Sequence, residues 1–122
     1  MFNKKIYSLL EQYTKSQNEN QISALIFSAV QNVEDKVEKY ELADSIHKDF
    51  YGRLLTSARS SLLGVMDEAC SRYLKHDVNQ ERFKENYERA IILFNEDNDY
   101  QTFFDGKTFP HLVNVYSEWA KK

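Results

Sequence analysis

Three kinds of side chain stand at spacings that chemistry could use: histidine beside carboxylate, a lone thiol, and a run of acids interleaved with aromatic rings. His47 and the pair His76-Asp77 are 29 residues apart (76 minus 47), and Asp97 or Asp99 follows as a further carboxylate. Imidazole and carboxylate together would hold a divalent cation and activate a bound water for hydrolysis. Asp77, however, stands three residues before Gln80 in the pattern of a capping box, where each side chain satisfies a free backbone N–H at a helix start. Asp44 and His47 lie at i, i+3, the pairing used by di-metal bundles, but such sites take two acid-x-x-His motifs plus two further Glu. One such motif is present. A His on a charged helix is more often a surface residue or the partner of its neighbour, so the residues assign no metal ligand and no cofactor.

Cys70 shares a helix side with Met66 and Tyr73, which makes it a small buried apolar residue rather than a nucleophile. Ser57, Ser60 and Ser61 come without a G-x-S-x-G turn, no Gly-rich phosphate loop exists, and the Lys and Arg residues form no dense stripe. Acyl transfer, nucleotide hydrolysis and nucleic-acid binding all lose support, and the chain reads as a non-enzyme with no catalytic residue. Phe83, Tyr87 and Phe94 recur at helical spacing and belong to a core rather than to a base-stacking surface.

The acids are more informative. Asn95 to Asp105 reads NEDNDYQTFFD, with Glu96, Asp97, Asp99 and Asp105, the rings of Tyr100, Phe103 and Phe104, no base, and a net charge of −4 over eleven residues. A solvated loop would explain the acids but leaves the rings superfluous, whereas aromatic anchors beside carboxylates suit an interface hot spot. From Gln31 to Phe50, six acids (Glu34, Asp35, Glu38, Glu41, Asp44, Asp49) face three bases, a net of −3 that i, i+4 pairing would partly neutralise. The candidate partner-binding residues are therefore Glu96, Asp97, Asp99, Tyr100, Phe103 and Asp105 on the first segment, and Asp44 and Asp49 on the second.

Both segments need a scaffold, and the apolar pattern predicts a helical one. Ile6, Leu9, Leu10 and Tyr13 mark a first helix over Asn3 to about Lys15, ended by the polar linker Ser16 to Asn20. Ile22, Leu25, Ile26, Ala29, Val30, Val33 and Val37 stripe a second helix from Gln21. A new phase starts near Tyr40, with a boundary placed at residues 38 to 41. Gly52 is the natural place for a bend before Leu54, Leu55, Ala58, Leu62, Val65, Met66, Ala69 and Tyr73. A helix from Val78 to about Phe94 follows the Asp77 cap, Asp105-Gly106 is turn chemistry, and Pro110 opens a last helix to about Ala120. The expected fold is all-α, a single antiparallel bundle of five or six helices over residues 1–122.

Composition sets the outer bounds. A chain of 122 residues with 42% apolar and 14% aromatic content, 3 Gly and 1 Pro is large enough to bury one core without disulfides or a structural metal. The single Cys fits a reducing compartment. Lys4 and Lys5 precede too short an apolar run for a signal peptide, and no segment approaches the roughly 20 apolar residues of a membrane span. A cytoplasmic protein away from membranes is expected. The net charge of −3 runs against a generic nucleic-acid binder.

The run Ile22-Ser23-Ala24-Leu25-Ile26, then Lys39 to Ile46 (KYELADSI), Lys48-Asp49-Phe50-Tyr51 and Arg53-Leu54-Leu55 resembles the immunity proteins of bacterial contact-dependent growth inhibition systems. The resemblance covers Ile22 to Leu55. It implies a cytoplasmic, non-catalytic inhibitor that binds the C-terminal toxin domain, often a nuclease, of its own or a sibling cell's delivery protein. The expected partner is then a basic, nuclease-like domain, and the expected state is a monomer or a 1:1 heterocomplex. Two other classes compete: a small helical metal-dependent phosphohydrolase, which the order His47, His76-Asp77, Asp97 or Asp99 resembles, and a regulatory interaction bundle with another partner.

Overall fold

The computed structural model describes residues 4–15 and 21–121, the side chains of 13–15 excepted. The linker expected at Ser16 to Asn20, the helix start at Asn3 and the Tyr13 side chain lie outside the described residues. Among these residues the chain forms five α-helices and no strand: α1 (Lys5–Lys15), α2 (Gln21–Leu42), α3 (Lys48–Leu74), α4 (Gln80–Glu96) and α5 (Pro110–Ala120), with a 3-10 turn at Gln101–Phe103. The all-α bundle expected from periodicity is what forms. None of the described helices is long and apolar enough to cross a membrane.

Each helix exists because one stripe of it is apolar and another helix stands opposite. On α2, Ile22, Ile26, Val30, Val33 and Val37 are buried at steps of three or four residues, while Glu34, Asp35, Lys36, Glu38 and Lys39 stay outside that stripe. The central element is α3, which packs against α2 and α5, and α1 is held between α2 and α4. Its own buried stripe runs from Leu55 through Ala58, Leu62, Met66 and Ala69 to Tyr73. At the α4–α5 end, Tyr73, Phe83, Tyr87 and Trp119 stack tilted or edge to face, with ring centroids 4.9 Å apart for Phe83–Tyr87 and 5.3 Å for Tyr73–Trp119. These geometries suit the ring quadrupoles.

Three local expectations change. The boundary placed at residues 38 to 41 moves, since α2 continues to Leu42 and the break falls at Ala43–His47. Gly52 is no bend: it lies inside α3, where a Cβ would stand 3.3 Å from Cε1 of Tyr40, so its missing side chain lets the end of α2 approach α3 closely. Asp77 is not the cap of α4 either. Asn79 fills that position, its Oδ1 accepting from the backbone N–H of Arg82 at 3.0 Å. Gln80 turns backward instead and donates to the Tyr73 carbonyl at 2.8 Å.

The segment between α3 and α4 has its own logic. His76 adopts a left-handed φ of 63°, and the N–H groups of His76 and Asp77 return to the carbonyls of Tyr73 and Arg72 at 3.1 and 2.9 Å. This is the Schellman closure of a helix end, with histidine where glycine usually sits. Both residues therefore do structural work in ending α3.

Candidate partner-binding surface

Two acidic connections compete for a binding role: the elbow after α4 and the corner between α2 and α3. In the elbow most of the chemistry is turned inward. Tyr100 is only 1% exposed and its hydroxyl meets that of Tyr7 at 2.6 Å, tying the elbow to α1. Burial pushes both phenols above their ordinary range, so they stay neutral. Arg59, buried on α3, places its guanidinium 6.0 Å from the Tyr100 ring centroid and its Nη2 3.6 Å from Oδ2 of Asp99.

The remaining elbow acids are largely used by their own backbone. Asp97 ends α4 and accepts the N–H of Asp99 on Oδ1 at 2.8 Å, and burial raises its carboxyl against that hydrogen bond. Asp105 accepts from the Lys107 N–H at 3.0 Å and from the Thr108 hydroxyl at 3.2 Å, which shapes the turn into α5. Phe103 and Phe104 are half-buried against the core, and the Phe104 ring meets Tyr116 edge to face at 5.1 Å. Glu96 is exposed. The elbow is a polar lock closing the bundle, with Tyr100 as core rather than anchor.

The corner is built the other way. Asp44 accepts on one oxygen from the N–H groups of Ile46 and His47, at 3.1 and 2.9 Å, and from Nδ1 of His47 at 2.8 Å. Those bonds, the His47 backbone first, hold the Asp44 carboxyl below its usual range. A short turn so clamped leaves Leu42, Ile46 and Phe50 at 79%, 83% and 49% exposure. Among the described residues the other large exposed apolar side chain is Leu25, at 43%. Large apolar side chains outside the core thus gather at this corner.

The same stretch carries exposed acids. Glu38, Glu41, Asp44 and Asp49 are all exposed, while Lys39 is engaged by Asp35 at 3.2 Å and Arg53 stands 3.8 Å from Asp49. Lys48 lies over the Tyr40 ring at 4.9 Å. Beside it opens a cleft of about 510 Å³ lined by Tyr40, Lys48, Asp49, Gly52, Arg53 and Thr56. Of the two acids singled out from the sequence, Asp49 lines this cleft and Asp44 lies exposed in the turn before α3.

The histidines proposed for a metal do not meet. His47 precedes α3 and His76 follows it, and a helix of 27 residues separates them by about 40 Å at 1.5 Å rise per residue. Among the described residues no group of three or more His, Cys, Asp or Glu is arranged to hold an ion. Cys70 is buried, and its thiol is pushed up by burial and by the charge of Asp67.

Two functional-looking residues escaped the sequence reading. Asp67, on α3, caps α5: its Oδ1 accepts the N–H groups of His111 and Leu112 at 2.8 and 2.9 Å, and Oδ2 lies 3.1 Å from His111 Nδ1. Nothing local could reveal a pairing 44 residues apart, although Phe109 at the N-cap, unable to cap with its side chain, left an anion wanted there. Arg59 did leave a signal, as a lone cation within the stripe Leu55, Ala58, Leu62.

In comparisons with known proteins no family model, no curated protein and no solved structure matches this chain.

Proposed function

We propose that this chain is a non-catalytic inhibitor that binds a basic toxin domain, as the immunity proteins it resembles do, and that it does so with the α2–α3 corner. The observation that carries the reading is the exposed group Leu42, Ile46 and Phe50 on and beside a clamped turn, in a stretch that also exposes Glu38, Glu41, Asp44 and Asp49. Apolar side chains held in water by a rigid turn gain free energy when a partner covers them, and little order remains to be lost on binding. Carboxylates in the same stretch speed encounter with a cationic surface and exclude acidic partners. The resemblance runs over Ile22 to Leu55, which contains the corner and leaves out the elbow.

A nuclease-like toxin must hold phosphates in a basic cleft, and an acidic knob seated at that cleft would deny substrate its place. The test is neutralisation in growing cells. The gene immediately upstream is sequenced, and the chain is produced together with the C-terminal domain of the protein that gene encodes. Rescue of growth by the native chain, lost in the double variant Ile46→Asp/Phe50→Asp that still folds, supports the reading. Absence of rescue by the native chain removes the inhibitor class, and rescue undiminished by the double variant removes the corner.

A further inference from the structure

A pair of carboxyls at the α1–α2 interface has no part in the proposed binding surface. Glu11 of α1 and Glu34 of α2 are both half-buried and stand against each other. Glu11 Oε1 is shut off from solvent, and among the described residues no N–H or hydroxyl donor reaches it. Such an oxygen needs a donor, and the carboxyl that faces it can supply one only while it keeps its proton. Two ionised carboxylates in this position would repel across the very contact that docks α1.

We propose that Glu11 and Glu34 form a shared-proton latch that fastens α1 to α2, so that α1 loosens as the solution passes from mildly acidic to alkaline. Burial, then the hydrogen bond to Glu11 and the repulsion of its charge, push the Glu34 carboxyl up to about 7, with the Lys4 ammonium opposing. Lys4 and Glu11 are the charged groups that act on Glu34. On α2 itself, Lys36 is turned to Asn32 and Asp35 at 2.9 and 3.1 Å, and Lys39 to Asp35.

The sign follows from linkage. The folded chain holds this proton more tightly than the unfolded chain, whose carboxyl titrates near 4.5. Stabilisation is therefore full below about 4.5, shrinks as the pH rises, and is gone above about 7. The buried Ile6, Tyr7 and Leu10 keep α1 on the core throughout, so the latch governs how often the helix opens.

Amide hydrogen exchange read by NMR at pH 5.5 and pH 8, corrected for the intrinsic pH dependence of exchange, tests this on the whole protein. In the native chain, protection across α1 falls by roughly tenfold relative to α3, a shift discounted for the partial exposure of both carboxyls. Glu34→Gln carries a permanent donor and keeps α1 protected at both pH values, and Glu11→Gln, which removes the repulsion, flattens the same response should the first variant fold poorly. Equal protection of α1 and α3 at both pH values overturns the latch. So does an undiminished drop in either folded variant.

Discussion

The elbow after α4 and the corner between α2 and α3 are both short connections carrying carboxylates and aromatic rings, yet the molecule uses them in opposite senses. In the elbow Tyr100 is in the core, Phe103 and Phe104 are half-buried against it, and Asp97, Asp99 and Asp105 are engaged by backbone N–H groups, a hydroxyl or Arg59. At the corner one carboxylate, Asp44, orders the turn, and the apolar side chains Leu42, Ile46 and Phe50 are left in water. Acid density alone does not mark a binding face. What separates the two is whether the rings beside the acids are covered.

The comparison can be broken from the elbow side first, where the largest effects are expected. Tyr100→Ala removes a core ring and the hydroxyl that meets Tyr7, and costs about 3–5 kcal/mol of unfolding free energy in urea titrations. A cost near zero would mean that the elbow is a surface loop after all. Arg59→Leu leaves Asp99 without its buried cation. Since Asp99 keeps 29% side-chain exposure, the loss is set below that of a fully buried pair, at about 2 kcal/mol. Both losses should come without a matching change at the corner.

The corner responds on a smaller scale in stability. Asp44→Ala frees the N–H groups of Ile46 and His47, so amide exchange at those two residues accelerates while the urea midpoint holds. Ile46→Asp with Phe50→Asp removes no core contact and shifts stability by no more than about 0.5 kcal/mol. A large loss from that pair would show the corner to be part of the core. The same substitutions should weaken partner binding strongly, whereas Glu96→Gln should leave it unchanged.

How much was legible in the sequence follows the same divide. Helical periodicity announced every helix, and Pro110 with the apolar residues Leu112, Val113, Tyr116 and Trp119 placed α5, whose buried face proves to be Leu112, Val115 and Trp119. The α2–α3 break was displaced because Tyr40 packs on Gly52, a tertiary contact that turns an apparent bend into a close approach. Asp77 lost the capping role to Asn79, two residues on, since the left-handed His76 carries the chain past it before α4 begins. The elbow acids look uncompensated in sequence because their partner Arg59 comes from 40 residues away, 99 minus 59, on another helix. Asp44 and Asp49 were named from charge, while the exposed Ile46 and Phe50 were absorbed into a helical stripe with Tyr40 and Ala43, since periodicity cannot tell an apolar face that is covered from one that is not.

The measurement that bears most directly on the central claim is a hydrogen-exchange footprint of the 1:1 complex with the basic toxin domain that the proposed function assigns as partner. The account predicts new protection across residues 40–53 and none beyond the free protein's own across 95–105. Protection gained in the elbow with the corner exchanging as in the free chain would contradict it.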